Sequence, residues 1–259
     1  MSGNIHDLHR FPLFVLTLSF FVMWLSAQIG AFFQKKRPIP EDGMRQDLDL
    51  VVTATLTLLG LIIGFTFSMA ISRYDQRKIY EEAETNAIGT EYVRADLLPA
   101  GDAAKVKELL REYLDQRVLF YEIRNETELR QINSRTADLQ TRLWSAVYAP
   151  ASAQPTPILA LAVSGMNDVL NSQGYTQAAW WNRIPIAAWG LMIAIAVCSN
   201  FLVGYDRRGV RVGIIQPVVL PLILAIAFFL IADIDSPRWG IIRVLPQNLL
   251  SLSQSLHGH

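Results

Sequence analysis

The segment from Thr53 to Lys78 constrains this chain most: an apolar run with a glycine and hydroxyl stripe passes without a break into Ser72-Arg73-Tyr74-Asp75-Gln76-Arg77-Lys78. A helix long enough to cross a bilayer therefore continues directly into a charged helix, and a pore lining or a coupling element belongs at such a junction. Residues 50–71 carry no formal charge, and about 20 residues at about 1.5 Å rise each cross a hydrocarbon core of about 30 Å. Within the run, Thr53, Thr57, Gly60, Gly64 and Ser68 follow one another at spacings of four, three, four and four, which puts them on one narrow helix face. Such a stripe serves close helix packing, with Gly60 and Gly64 as the small-xxx-small contact. Alternatively the stripe, or the neighbouring face of Leu61 and Phe65, lines a water-filled path in which hydroxyl oxygens replace part of an ion's hydration shell. Adjacent faces of one helix can do one job each.

The rest of the chain is mixed in character: 51% hydrophobic residues are too many for an ordinary soluble domain, and 18% charged residues too many for a wholly buried bundle. Four segments meet the length and polarity criterion for a membrane span, at about 11–33, 50–71, 185–203 and 214–232. An even number places both termini on one side. The balance of 23 basic against 23 acidic residues gives no reason to expect nucleic acid as a partner. The only cysteine, Cys198, lies in the third span, so neither an intramolecular disulfide nor a Cys-rich metal site can form. His6, His9, His257 and His259 all lie in the tails, where solvated, functionless ends are expected. Arg10 ahead of an apolar run ending near Ser26-Ala27 imitates a signal peptide, but the run continues to Phe33 and the second span follows closely; an uncleaved hairpin fits better.

Residues 73–183 read as a helical soluble domain inserted between the second and third spans, so the fold class expected is all-α. Its first part, to Leu97 before Pro99, has apolar or small residues at Ile79, Ala83, Ala87, Thr90 and Val93, which is helical spacing. A second helix is expected to start with Asp102 as N-cap and to bury Val106, Leu109, Leu110, Tyr113, Leu114 and Val118. A third face shows Leu129, Ile132, Leu139, Leu143 and Val147 before Pro150, Pro155 and Pro157 break the pattern. The run 158–163 starts a further buried or interfacial helix expected to end near Asn171. Trp180 and Trp181 beside Arg183 have the composition of an aromatic belt at the return to the membrane, and Pro185 suits the first turn of the next helix.

Two stretches carry a resemblance. Gly64-Phe65, the small residues through Ser68 and Ala70, then Arg73-Tyr74 and Arg77-Lys78 resemble the second transmembrane helix of the bestrophin channels. After the last span, Asp233-Ile234-Asp235-Ser236-Pro237-Arg238-Trp239-Gly240 resembles that family's acidic-x-acidic-x-Pro-aromatic-Gly turn with Arg238 inserted. The segments from Glu84 to Thr90 and from Arg94 to Pro99 look more like a divergent prokaryotic branch of it. The resemblance implies a homopentameric ring whose second helices line a narrow neck, here at Thr57, Leu61 and Phe65. Thr57 departs from the apolar residue expected and makes the outer end of that neck more polar. The family's calcium clasp needs an acidic run after the turn, and this chain has Ile241-Ile242-Arg243-Val244 instead, so no metal or other cofactor is expected.

Arg73 at the inner mouth would be multiplied into a positive field by a ring of subunits. Against that stand Asp75, Glu81, Glu82 and Glu84; Arg77 with Glu81 and Lys78 with Glu82 have the spacing of i,i+4 pairs on a solvated face. Asp233 and Asp235 are expected to cap backbone or to pair with Arg238. Lysines and arginines near the span ends number seven on either side, so charge does not orient the chain. The short loops are the denser, favouring an exported domain; the resemblance implies a bacterial inner membrane and a cytosolic domain, and is followed here. The sequence has no phosphate-binding glycine loop, no HExxH and no Gly-x-Ser-x-Gly, so an enzyme is not expected. The reading is an oligomeric channel for small inorganic ions in a lipid bilayer. The alternative is a non-conducting, membrane-anchored helical scaffold or sensor.

Overall fold

The structure, a computed structural model, describes residues 12–35, 42–206 and 215–258. Phe11, Ile214, the tail histidines 6, 9 and 259, and Arg10, Lys36, Arg37, Arg207, Arg208 and Arg211 of the charge count lie outside the described residues, as does the side chain of Arg45. Everything described is helix or connection, with no strand among the described residues. The helices are α1 (Pro12–Lys35), α2 (Asp42–Arg94), α3 (Ala100–Glu122), α4 (Glu126–Ala153), α5 (Pro157–Trp181), α6 (Ile186–Tyr205), α7 (Ile215–Asp235) and α8 (Gln247–His257). Among the described residues four stretches are long and apolar enough to cross a membrane, in agreement with the four expected spans. The chain divides into two compact units, Met1–Ser72 with Arg183–Ile242 and Arg73–Asn182 with Arg243–His259.

In the first unit α1 packs on α6 and α7. The contact follows from small residues: α1 buries Ser26, Ala27, Gly30 and Ala31, and α6 buries Ala196, Ser199, Asn200 and Gly204. A Cβ on Gly30 would overlap the carbonyl oxygen of Phe201 and come within 2.9 Å of the Tyr205 nitrogen. One on Gly204 would overlap the Ala27 carbonyl. Backbone therefore lies against backbone, the arrangement by which helices associate when lipid offers no hydrophobic drive. Ser26 Oγ donates to the Val197 carbonyl at 2.8 Å across this contact. On the other side Trp189 of α6 meets Phe228 of α7 edge to face at 6.2 Å. Two further hydroxyls of α1 are satisfied within their own helix, Ser19 Oγ by the Val15 carbonyl at 2.6 Å and Thr17 Oγ1 by the Phe14 carbonyl at 3.1 Å.

The second unit has an apolar core of α3, α4 and α5. The six residues expected to be buried on α3 are buried, as are Ile132, Leu139, Leu143 and Val147 on α4. Local details differ from the sequence reading. The N-cap of α3 is Pro99, not Asp102, which sits in the first turn where its charge complements the helix dipole. Asn125 caps α4, its Oδ1 accepting the Thr127 N–H at 2.8 Å. Pro150 does not end α4, which runs on to Ala153 before Pro155 and Pro157 stop it. Helix α5 continues ten residues beyond Asn171, because its inward face stays compact through Ser172, Thr176 and Ala179. Trp180 is no belt residue: it is buried against Phe120 and Tyr121 at ring distances of 4.8 and 5.3 Å.

The contact between α1 and α6 gives a direct test. Gly30→Ala should destabilise the protein in detergent by about 1–3 kcal/mol through overpacking. Gly174→Ala, at an open position of α5, should be neutral or stabilising by up to about 1 kcal/mol. Thermal unfolding of both variants beside wild type checks the pair.

Candidate functional site

Helix α2 is 53 residues long, about 80 Å at 1.5 Å per residue. Its buried positions are Leu59, Thr66, Ala70, Arg77, Glu81, Glu84, Thr85, Ile88 and Glu91. Apart from Thr85 beside Glu84, successive members are seven, four, seven, four, three, four and three residues apart, so within each unit α2 covers a narrow face at helical spacing. Beyond the apolar segment that covered face is charged. Arg77 and Glu81 are therefore not on a solvated face, which corrects the i,i+4 surface reading; each is about 1% exposed.

Each buried charge on this face is dealt with differently. Arg77 Nε donates to the Ala179 carbonyl at 3.4 Å. The Glu81 carboxylate accepts the backbone N–H groups of Asn248 and Leu249, at 3.0 and 3.1 Å, and the Asn248 amide at 2.6 Å. A side chain of α2 thus caps α8 and places a negative charge at its positive end. Glu84 pairs with Arg117 of α3 and accepts from Thr176 Oγ1 of α5 at 3.0 Å. Arg117 in turn lies 4.4 Å from the centre of the Phe120 ring. Burial, the largest influence, acts to lower the Arg117 pKa, but the Glu84 charge and hydrogen bond together with Tyr113 and Tyr121 outweigh it, and the guanidinium is held charged. Burial raises the phenol pKa of Tyr113 and Tyr121 beside this pair, and the Glu84 charge adds to the rise.

The opposite face of α2 is bare among the described residues. Thr57 is exposed, Leu61 is 53% and Phe65 65% exposed, and a Cβ on Gly60 or Gly64 would meet nothing within 4 Å. Only 11% of the apolar window of α2 is buried, against 50% for α7. Thr57 Oγ1 donates to the Thr53 carbonyl at 2.8 Å, which leaves its oxygen lone pairs as acceptors. Farther along, Ile79 and Val93 are 61% and 68% exposed, and Ala83 and Thr90 are exposed too. The apolar stripe read from the sequence thus points outward and the charged stripe inward. Arg73 is half-buried where the two units divide.

The second group of candidate residues follows α7. Asp233 accepts the N–H groups of Ile241 and Ile242 at 2.7 and 2.8 Å, and Asp235 accepts the Ile184 N–H at 3.2 Å through each oxygen. Pro237 and Gly240 are buried in the same turn. A Cβ on Gly240 would overlap the Asp233 carbonyl, so only glycine lets the chain close on itself here. Among the described residues no group of three or more His, Cys, Asp or Glu is arranged to hold a metal. The structure therefore brings Asp233, Asp235, Pro237 and Gly240 together as a turn, and Thr57, Leu61 and Phe65 together as a face. The sequence reading missed Arg117, Thr176, Glu91 and the whole of α8. The one available signal was the spacing of ionisable residues at 77, 81, 84 and 91, which matches a single helix face.

The fold has counterparts among known proteins. The fold matches crystal structures of a bacterial bestrophin homologue from Klebsiella pneumoniae. One, determined by zinc phasing, has a TM-score of 0.66 at 14% identity over 95% of this chain and 97% of that one. Another, a tryptophan-to-alanine variant, gives 0.66 at 13% identity over 100% of both chains. A third, an isoleucine-to-threonine variant, gives 0.62 at 14% over 95% and 97%. No protein of curated function matches the sequence. Residues 13–249 match the family model of the bestrophin-like domain. With that match over nearly its whole length, the chain belongs to the bestrophin-like family.

Proposed function

We propose that the chain is one subunit of a homopentameric channel for small inorganic ions in a bacterial inner membrane, with α2 lining the pore. One observation carries the reading: the bare face of α2. A helix of bilayer length that buries so little inside its own chain faces lipid or other copies. Thr53, Thr57 and Ser68 suit lipid poorly and suit water or a neighbouring helix well. In a ring around α2, Thr57, Leu61 and Phe65 form the neck, Gly60 and Gly64 admit the neighbouring copy, and Arg73 stands at the inner mouth. Residues 73–183 then form a cytosolic domain inserted between the second and third spans. In it Ile79, Ala83, Thr90 and Val93 of α2 are exposed as well. Glu81 and Glu84 hold that part of α2 on α8, α3 and α5.

Phe65→Ala should raise ion flux severalfold in reconstituted vesicles, because removing an aromatic ring from each subunit eases wetting of the neck. Absence of flux from both wild type and variant, with the oligomer intact, would leave a non-conducting scaffold.

Gly64→Leu should reduce oligomer size while sparing the fold of the protomer, since a Cβ at this position meets nothing within 4 Å. Leu61→Ser should keep the oligomer and change conduction. Equal loss of assembly in both variants would contradict the division of α2 into two faces.

Conduction should also be indifferent to micromolar calcium. The oxygens of Asp233 and Asp235 are engaged by backbone N–H groups, and calcium takes about six to eight oxygen ligands. Asp235→Asn should therefore lower stability without altering a calcium response; a steep calcium-dependent current abolished by that change would overturn this.

A further inference from the structure

Glu91 is the one buried carboxylate of the inward face of α2 that receives no donor. Its side chain is fully buried, and neither Oε1 nor Oε2 has a hydrogen-bond partner. Glu81, two turns and more upstream, accepts three hydrogen bonds, and Glu84 has Arg117 and Thr176. A carboxylate taken from water with no donor is costly as an ion and far less so as a neutral acid. The fold has been shaped around the group all the same. A Cβ on Gly165 of α5 would overlap Glu91 Oε2 and come within 2.7 Å of Arg94 Nη1, so glycine at 165 provides the space that the carboxyl and the guanidinium occupy. The charged groups facing Glu91 are Arg94 on its own helix and Asp168 on α5, of opposite sign.

We propose that Glu91 is a proton-binding site: with α2 seated on Gly165 of α5 it holds a proton, and release of that proton unseats this end of α2. The proton goes to solvent and no other bond changes. Burial, the largest influence, lifts the Glu91 pKa from 4.5 to about 8; Arg94 opposes the shift and Asp168 reinforces it. Because the folded value is raised, the stabilisation is complete below the unfolded value of 4.5 and is lost as pH rises through about 8. The site lies outside the apolar segments, and the proposal does not depend on conduction.

The full-length protein in detergent provides the test. Its thermal unfolding midpoint should fall by about 5–10 °C between pH 6 and pH 9. Glu91→Gln, which keeps the shape of the neutral acid, should remove most of that fall. Gly165→Ala should remove it too, by displacing the carboxyl, and should lower the midpoint at every pH. Infrared spectroscopy of wild type supplies a readout free of variant folding: a protonated carboxyl stretch present at neutral pH and lost near pH 8. The same fall in Glu91→Gln as in wild type, or no protonated carboxyl at neutral pH, would overturn the proposal.

Discussion

Helix α2 is unbroken from Asp42 to Arg94, and in each unit it buries a face set by helical spacing. At Leu59, Thr66 and Ala70 that face can be apolar or small. From Arg77 onward it is largely ionisable, and every charge taken inward must find a counter-charge, a dipole or a proton. Much of the second unit follows from this requirement. Helix α3 supplies Arg117, α5 supplies Thr176 and the Ala179 carbonyl, and α8 presents its N-terminus to Glu81. Helix α8 is held at its other end as well, where Arg111 Nε donates to the Leu256 carbonyl at 3.1 Å. Between those ends Leu249 is buried in the core and Leu252 lies against Gly89.

This inversion explains where sequence reasoning succeeded and where it failed. The four apolar helices were legible because bilayer length is a strong criterion, and the buried positions of α3 were legible because apolar spacing there coincides with burial. On α2 beyond Ser72 the rule reverses, so Ile79 and Val93 lie outside while Arg77, Glu81 and Glu84 lie inside. Charge at helical spacing looks the same in sequence whether a face is solvated or paired across elements. The partner that decides the matter, Arg117, is 33 residues from Glu84. Helix α8 was missed for a related reason: Gln247 to His257 is polar and short, and its capping carboxylate lies 167 residues upstream. The extension of α5 past Asn171 was hidden because serine and threonine hold its inward face.

In the turn after α7 the acids serve the backbone. Asp233 and Asp235 stand close in sequence, a pattern that invites a cation, yet both carboxylates are occupied by backbone N–H groups. Asp233 closes the chain onto Ile241 and Ile242, and Asp235 fixes Ile184 just before α6 begins. Gly240 permits the close approach that makes the first of these possible. The acids here bind the ends of this unit's own helices together.

The central claim is that the bare face of α2 is turned toward further copies around an axis. Cryo-electron microscopy of the purified protein in lipid nanodiscs tests it most directly. The account predicts a closed ring of five copies, with Thr57, Leu61 and Phe65 facing the axis and Gly60 and Gly64 against the neighbouring α2. A single copy, or an assembly in which that face looks out into lipid, would contradict it.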